Sequence, residues 1–168
     1  MTYLFFRELR EMLEREVCPC IGLKRPVQGD DAAFALAPPV VSIGRPRGEA
    51  AGPVPGIAIW LDGPATDDGK TRLVPVRLDC TVYSPGTHTG PGVLDASRRT
   101  GYQDLLNLLD LTVRAVRRGD PIAPRLTLAG PEIRWWAEGD SHRDDWRGWV
   151  SFTLRAAPLP GRGETDLL

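Results

Sequence analysis

Two kinds of apolar periodicity alternate along the 168-residue chain. Between residues 2 and 17, Phe5, Leu9, Met12 and Leu13 recur at helical steps, while Arg7/Glu11, Arg10/Glu14 and Glu11/Arg15 stand four apart on the remaining surface. This predicts a helix that Pro19 stops. A second helix is predicted from Thr100 to Arg118. Thr100 and Gln103 have capping-box spacing, in which the threonine oxygen takes the N–H three residues on and the glutamine reaches back. Arg117 and Arg118 suit the negative end of the helix dipole, Gly119 is placed for a left-handed cap, and Pro121 prevents continuation. Tyr102, Leu105, Leu106, Leu109, Val113 and Val116 form the stripe expected to be buried. At 100° per residue Leu111 falls almost opposite that stripe and Leu108 on its flank. They read either as scattered surface leucines or as a second apolar strip that another subunit covers.

Period-two patterns mark the strands. Residues 57–61 are apolar at every position, as in a central strand covered on both sides. The segment from Asp62 to Lys70 is dense in turn formers. From Arg72 to Tyr83, Val74, Val76, Leu78, Cys80 and Val82 point one way and Arg77, Asp79 and Thr81 the other. Pro75 cannot donate to a ladder, so that end should be an edge or a bulge. Glu132 to Ala137 and Gly148 to Ala157 are predicted to pair as a hairpin, with Val150, Phe152, Leu154 and Ala156 facing the core. Trp135 shares a face with Ile133 and Ala137 and should join that core. Trp136 and Trp149 should face away, under a loop or at a contact with another chain. The order of elements gives an α+β fold: a largely antiparallel β-sheet with two helices packed on one face. One domain should span residues 1–157, with a flexible connection at about 18–55 in which residues 39–44 are the only strand, and a disordered tail at 158–168.

Composition narrows the function without naming it. Lys+Arg 21 against Asp+Glu 22 is not the balance of a nucleic-acid polycation. Gly 18 and Pro 16 require long irregular connections. The apolar patch at residues 3–6 is too short and too soon followed by charge to be a secretory leader, and no window approaches a membrane span. Three cysteines without an export signal imply reduced thiols and synthesis in a cytoplasm.

Three groups of residues could carry chemistry. Residues 86–92 (Gly-Thr-His-Thr-Gly-Pro-Gly) lie between a strand and a helix, where a phosphate-cradling loop would sit. No lysine followed by Ser or Thr closes the loop, and Pro91 removes a backbone donor. Cys18, Cys20, Cys80, His88 and His142 are the only soft ligands, and Cys18-Pro19-Cys20 is one residue short of the usual zinc spacing. His142 beside Asp144 and Asp145 could move protons, but the sequence supplies no nucleophile elbow, no paired catalytic carboxylates on rigid elements and no metal motif, so a polar turn is the expected reading. No cofactor or metal is expected.

Taken in order, the all-apolar strand, the Asp/Gly turns, the strand ending Cys80-Thr81-Val82-Tyr83-Ser84, the segment Gly101-Tyr102-Gln103-Asp104-Leu105-Leu106-Asn107-Leu108 and the aromatic C-terminal hairpin resemble the tail terminator (tail completion) proteins of long-tailed bacteriophages. The Gly-Tyr-x-Asp-x-x-Asn segment is the most specific part, and the resemblance covers roughly residues 55–157. It departs in the longer Ser84 to Arg99 loop and the tryptophan-rich stretch from Trp135 to Trp149. The resemblance implies a structural virion protein, not an enzyme, that forms a hexameric ring on the end of the tail tube. It implies that the ring ends tube polymerisation and offers a surface to the neck of the capsid. Its partners would be further copies of itself, the tail-tube protein and a neck or connector protein. DNA would pass through the lumen without being read, with no membrane involved. The site would be the virion, assembled in the host cytoplasm. Such a ring needs heterologous contacts; the seam candidates are Leu108 and Leu111, or Trp136 and Trp149. The alternatives are another head–tail connector or neck protein, or a small nucleotide-binding enzyme using residues 86–92.

Overall fold

The computed structural model describes residues 2–44, 54–84, 100–139 and 145–157. Its spine is a pair of twelve-residue antiparallel strands, β6 (Arg72–Tyr83) and β9 (Asp145–Ala156), in unbroken register from Arg72 opposite Ala156 to Tyr83 opposite Asp145. At about 3.4 Å per residue this ribbon is roughly 40 Å long. The alternation read from the sequence sets its faces: Val74, Val76, Leu78, Cys80 and Val82 of β6 and Val150, Leu154 and Ala156 of β9 are buried on one side. Strand β4 (Gly56–Leu61) pairs antiparallel with β6, and β3 (Val40–Ile43) pairs parallel with β4 at one edge of the sheet. At the other edge β7 (Leu126–Leu128) and β8 (Arg134–Ala137) pair with successive stretches of β9, opposite residues 154–156 and 148–151. A short β5 (Thr66–Asp67) pairs with the start of β6. Pro75 lies where the β4 ladder has ended at Leu61 opposite Val76 and that of β5 at Thr66 opposite Leu73, so its missing N–H breaks no ladder.

Helix α1 (Thr2–Glu16) buries Phe6, Leu9, Met12 and Leu13, with Phe5 only partly covered. Arg7–Glu11 and Arg10–Glu14 approach to 3.8 and 3.3 Å, whereas Arg15 turns to Glu16. Helix α2 (Gly101–Arg118) has the expected reciprocal capping box at Thr100 and Gln103. The two helices and the inward side chains of β4, β6 and β9 form one hydrophobic cluster, so the domain is α+β with a mostly antiparallel sheet.

Four expectations change. Residues 18–44 hold more than one strand: after a 3-10 turn at Cys18–Cys20, β1 (Leu23–Val27) and β2 (Asp30–Ala37) form a separate two-stranded sheet. Gly119 ends α2 at φ −77°, not in the left-handed region. The glycine is needed for space, since a Cβ there would meet the Ala115 carbonyl at 2.9 Å and Met12 of α1 at 3.3 Å. The buried stripe of α2 is Asp104, Leu105, Leu108, Leu109, Thr112 and Val116, with Gly101 and Ala115, about a quarter turn from the leucine-rich stripe. Small residues let the helix approach its neighbours closely on that side, and hydrophobicity alone does not register this. Trp135 has the expected face but not the expected burial, at 54 % exposed.

Candidate assembly surfaces

Gly101 and Tyr102 of the Gly-Tyr-x-Asp-x-x-Asn segment have packing roles. A Cβ on Gly101 would lie 2.0 Å from the Trp146 ring, so only glycine lets that indole cover the helix start. Tyr102 packs on the same indole at 5.8 Å between centroids. Asp104 is buried in the first turn of the helix, where a carboxylate favours the positive end of the dipole. Asn107 is exposed.

The four seam candidates separate. Leu108 is fully buried in the chain's own core and therefore offers no surface to another subunit. Leu111 is partly buried against that core, so it is a flank residue rather than the centre of a second face. Trp136 and Trp149 stand directly opposite each other on β8 and β9, on the sheet face away from Val150. They differ in surroundings. The Arg77 guanidinium lies between Trp149 and Trp60, 5.0 and 5.2 Å from their ring centroids. Asp79 holds that arrangement, accepting from Arg77 Nε at 2.7 Å and from Trp60 Nε1 at 2.9 Å. Planar guanidinium on aromatic faces with a carboxylate at its edge is a self-satisfied unit. Trp136 lies beside it with 48 % of its surface exposed.

A second exposed aromatic was not read as surface from the sequence. Trp135, with Leu106, Leu109, Asp110 and Val113 of α2, lines an open hollow of about 240 Å³. The sequence periodicity places Leu106 and Val113 in the buried stripe; the quarter-turn rotation of α2 leaves them half-covered at this rim. With Leu108 and Leu111 added to that stripe, the apolar positions of α2 span about 220° at 100° per residue, more than one helix face can bury, and that excess was the available sequence signal.

Candidate chemistry is sparse among the described residues. Cys18 donates to the Pro39 carbonyl and Cys20 to that of Glu16, so these thiols have separate acceptors. Burial, followed by the Glu14 charge, raises the Cys18 thiol above its ordinary value. Cys80 is fully buried, and desolvation, followed by the Asp79 charge, pushes its thiol up to about 12. Among the described residues no group of three or more His, Cys, Asp or Glu could hold a metal ion, and no helix is long and apolar enough to cross a membrane. Asp67 and Asp68 have lowered carboxyl values, first because backbone N–H groups of the turn point at them. Their role is to fix a turn. Residues 86–92, His88, His142 and Asp144 lie outside the described residues. The sequence did not single out Lys24, which is fully buried on β1 with its Nζ 3.3 Å from Ser84 Oγ and 5.3 Å from the Phe34 centroid.

The chain matches no protein-family model, and no curated protein is significantly similar to it.

Proposed function

We propose that this chain is a structural assembly protein of a phage-like particle, a tail terminator whose ring closes the end of the tail tube and presents a surface for head joining. The observation that carries the reading is the rim formed by β8 and α2, where Trp135 is about half exposed at an apolar hollow and Trp136 about half exposed on the opposite face of the strand. Large tryptophans on opposite faces of one edge strand suit a protein–protein contact, where such residues dominate binding energy. The Gly101-Tyr102 start of α2, which carries the resemblance drawn from the sequence, is pinned under Trp146. Ring closure follows if one side of each subunit meets a different side of the next. The ring carries no catalysis; its action is to occupy the end of the growing tube and exclude further tube subunits.

The direct test is tube growth. Added to polymerising tail-tube protein of the same particle, the chain should shorten the tubes in proportion to its concentration and leave a ring at one end in negative-stain images. Tubes of unchanged length without end rings would refute the reading. A connector or neck protein would instead bind the head side and leave tube length unaltered.

A further inference from the structure

We propose that neighbouring copies join by strand addition, the β8 edge of one copy pairing antiparallel with the β3 edge of the next. The inference deepens the ring reading above and rests on it. At one edge, Glu138 donates to the Arg147 carbonyl, and by alternation the residues of β8 bonded to β9 are Arg134 and Trp136. The N–H and C=O groups of Trp135 and Ala137 therefore point away from the sheet. At the other edge, Val40 donates to Pro55 O and Gly44 to Ile59 O, so Val40 and Ser42 face β4 while Val41 and Ile43 turn their backbone groups outward. Among the described residues no further strand pairs with either edge. Neither Val-Val-Ser-Ile nor Arg-Trp-Trp-Ala contains the proline or lysine that commonly guards an open edge.

The two edges are complementary in partial charge, polarity and face. Each offers two N–H and two C=O groups in alternation, which is the chemistry a strand takes as partner. Following the sheet from β3 through β4, β6 and β9 to β8, one parallel and three antiparallel steps leave β8 antiparallel to β3. A copy placed head to tail in the same sheet thus brings its β3 antiparallel to β8. In an antiparallel ladder the residues exchanging both bonds share a face. The outward-bonding residues on both edges share the core-side face, with Val41 buried there and Trp135 paired with Val150. A parallel pairing would set core-side against solvent-side residues. One register uses every open group: Trp135 opposite Ile43 and Ala137 opposite Val41. The register that sets Ala137 opposite Pro39 loses a donor. In the favoured register the neighbour's Ile43 comes beside the hollow at Trp135, and its Ser42 lies opposite Trp136 on the other face.

Two variants test this on the full chain. Ala137→Pro removes an outward N–H without touching the β8–β9 bonds, and should weaken self-association about tenfold or more while the melting temperature of the monomer stays close to wild type. Trp136→Cys combined with Ser42→Cys, in a Cys20→Ser background, should form intermolecular disulfides on mild oxidation and give a denaturant-resistant ladder of multiples of 18.4 kDa. Either single cysteine alone should stay monomeric on the gel. Wild-type oligomers that ignore Ala137→Pro and a double variant that does not cross-link would overturn the edge pairing and leave the ring itself standing. A chain that is monomeric at every concentration, with no cross-link, would overturn the pairing as well; whether it still shortens tail tubes then decides the ring reading separately.

Discussion

Val150 and Trp135 are direct partners across β9 and β8 on the same face of the sheet, yet Val150 is fully buried and Trp135 is 54 % exposed. The difference is one strand's width. Helix α2 covers β6 and β9, where Leu105, Leu108 and Leu109 meet the inward side chains, and the hollow opens where its cover runs out. Within the covered zone every position is decided by packing: Gly101 gives way to Trp146, and Gly148 to Leu109 and the Trp136 carbonyl. At the rim the same alternation continues with, among the described residues, only the flank of α2 beside it. A sheet can therefore hold its pattern past the limit of its own helix layer, and the surplus is the surface available to a second molecule.

Substitutions should separate the two zones, beginning in the covered one. Leu108→Ala should cost the monomer about 2–5 kcal/mol, read by denaturant unfolding, because a fully buried leucine leaves a cavity in the shared core. A loss below about 0.5 kcal/mol would place Leu108 at the rim instead. Gly101→Ala should cost about 1–3 kcal/mol, as a Cβ 2.0 Å from the Trp146 ring forces that indole off the helix. Tryptophan fluorescence should report the displacement; an unshifted spectrum with unchanged stability would contradict the packing described.

These two residues mark how far the sequence could be read. The capping box at Thr100, the β6 alternation and the β9 core face follow from local spacing, and all three stand in the fold. The rotation of α2 does not, because it depends on how closely Gly101, Thr112 and Ala115 let the helix approach its neighbours, a tertiary fact. The exposure of Trp135 was hidden for a related reason: strand periodicity assigns a face, whereas burial requires knowing that β8 is the last strand. The β1–β2 pair was missed because Pro26 and the glycines around it read as loop. Of the seam candidates, Trp136 is the one that is largely exposed, while Trp149 belongs to the Arg77 stack, Leu111 to the flank of the core and Leu108 to the core itself. Leu111→Asp accordingly costs stability as well as any contact.

Cys80 provides a smaller effect that belongs to the covered zone alone. Its thiol, ordinarily near 9, is raised to about 12 by burial first. Below pH 9 the thiol is protonated in both states and its contribution is fully present. As pH rises toward 12 the unfolded chain releases the proton first, so stability should fall by up to about 1.4 kcal/mol per pH unit. Cys80→Val should remove that part of the alkaline slope; a slope identical to wild type would show that the thiol is not shielded. At the rim each side chain should matter less to the monomer. Trp135→Ser with Trp136→Ser should cost about 1 kcal/mol per side chain and leave the chain folded, since both are already half in water.

That double variant also isolates assembly from folding, and the decisive reading is its mass by light scattering beside wild type. Wild type should scatter as a closed multiple of 18.4 kDa, alone or with tail-tube protein, and the variant as a folded 18.4 kDa monomer under the same conditions. A wild type that stays at 18.4 kDa and ignores tail-tube protein would contradict the account, as would an oligomer of unchanged mass in the variant.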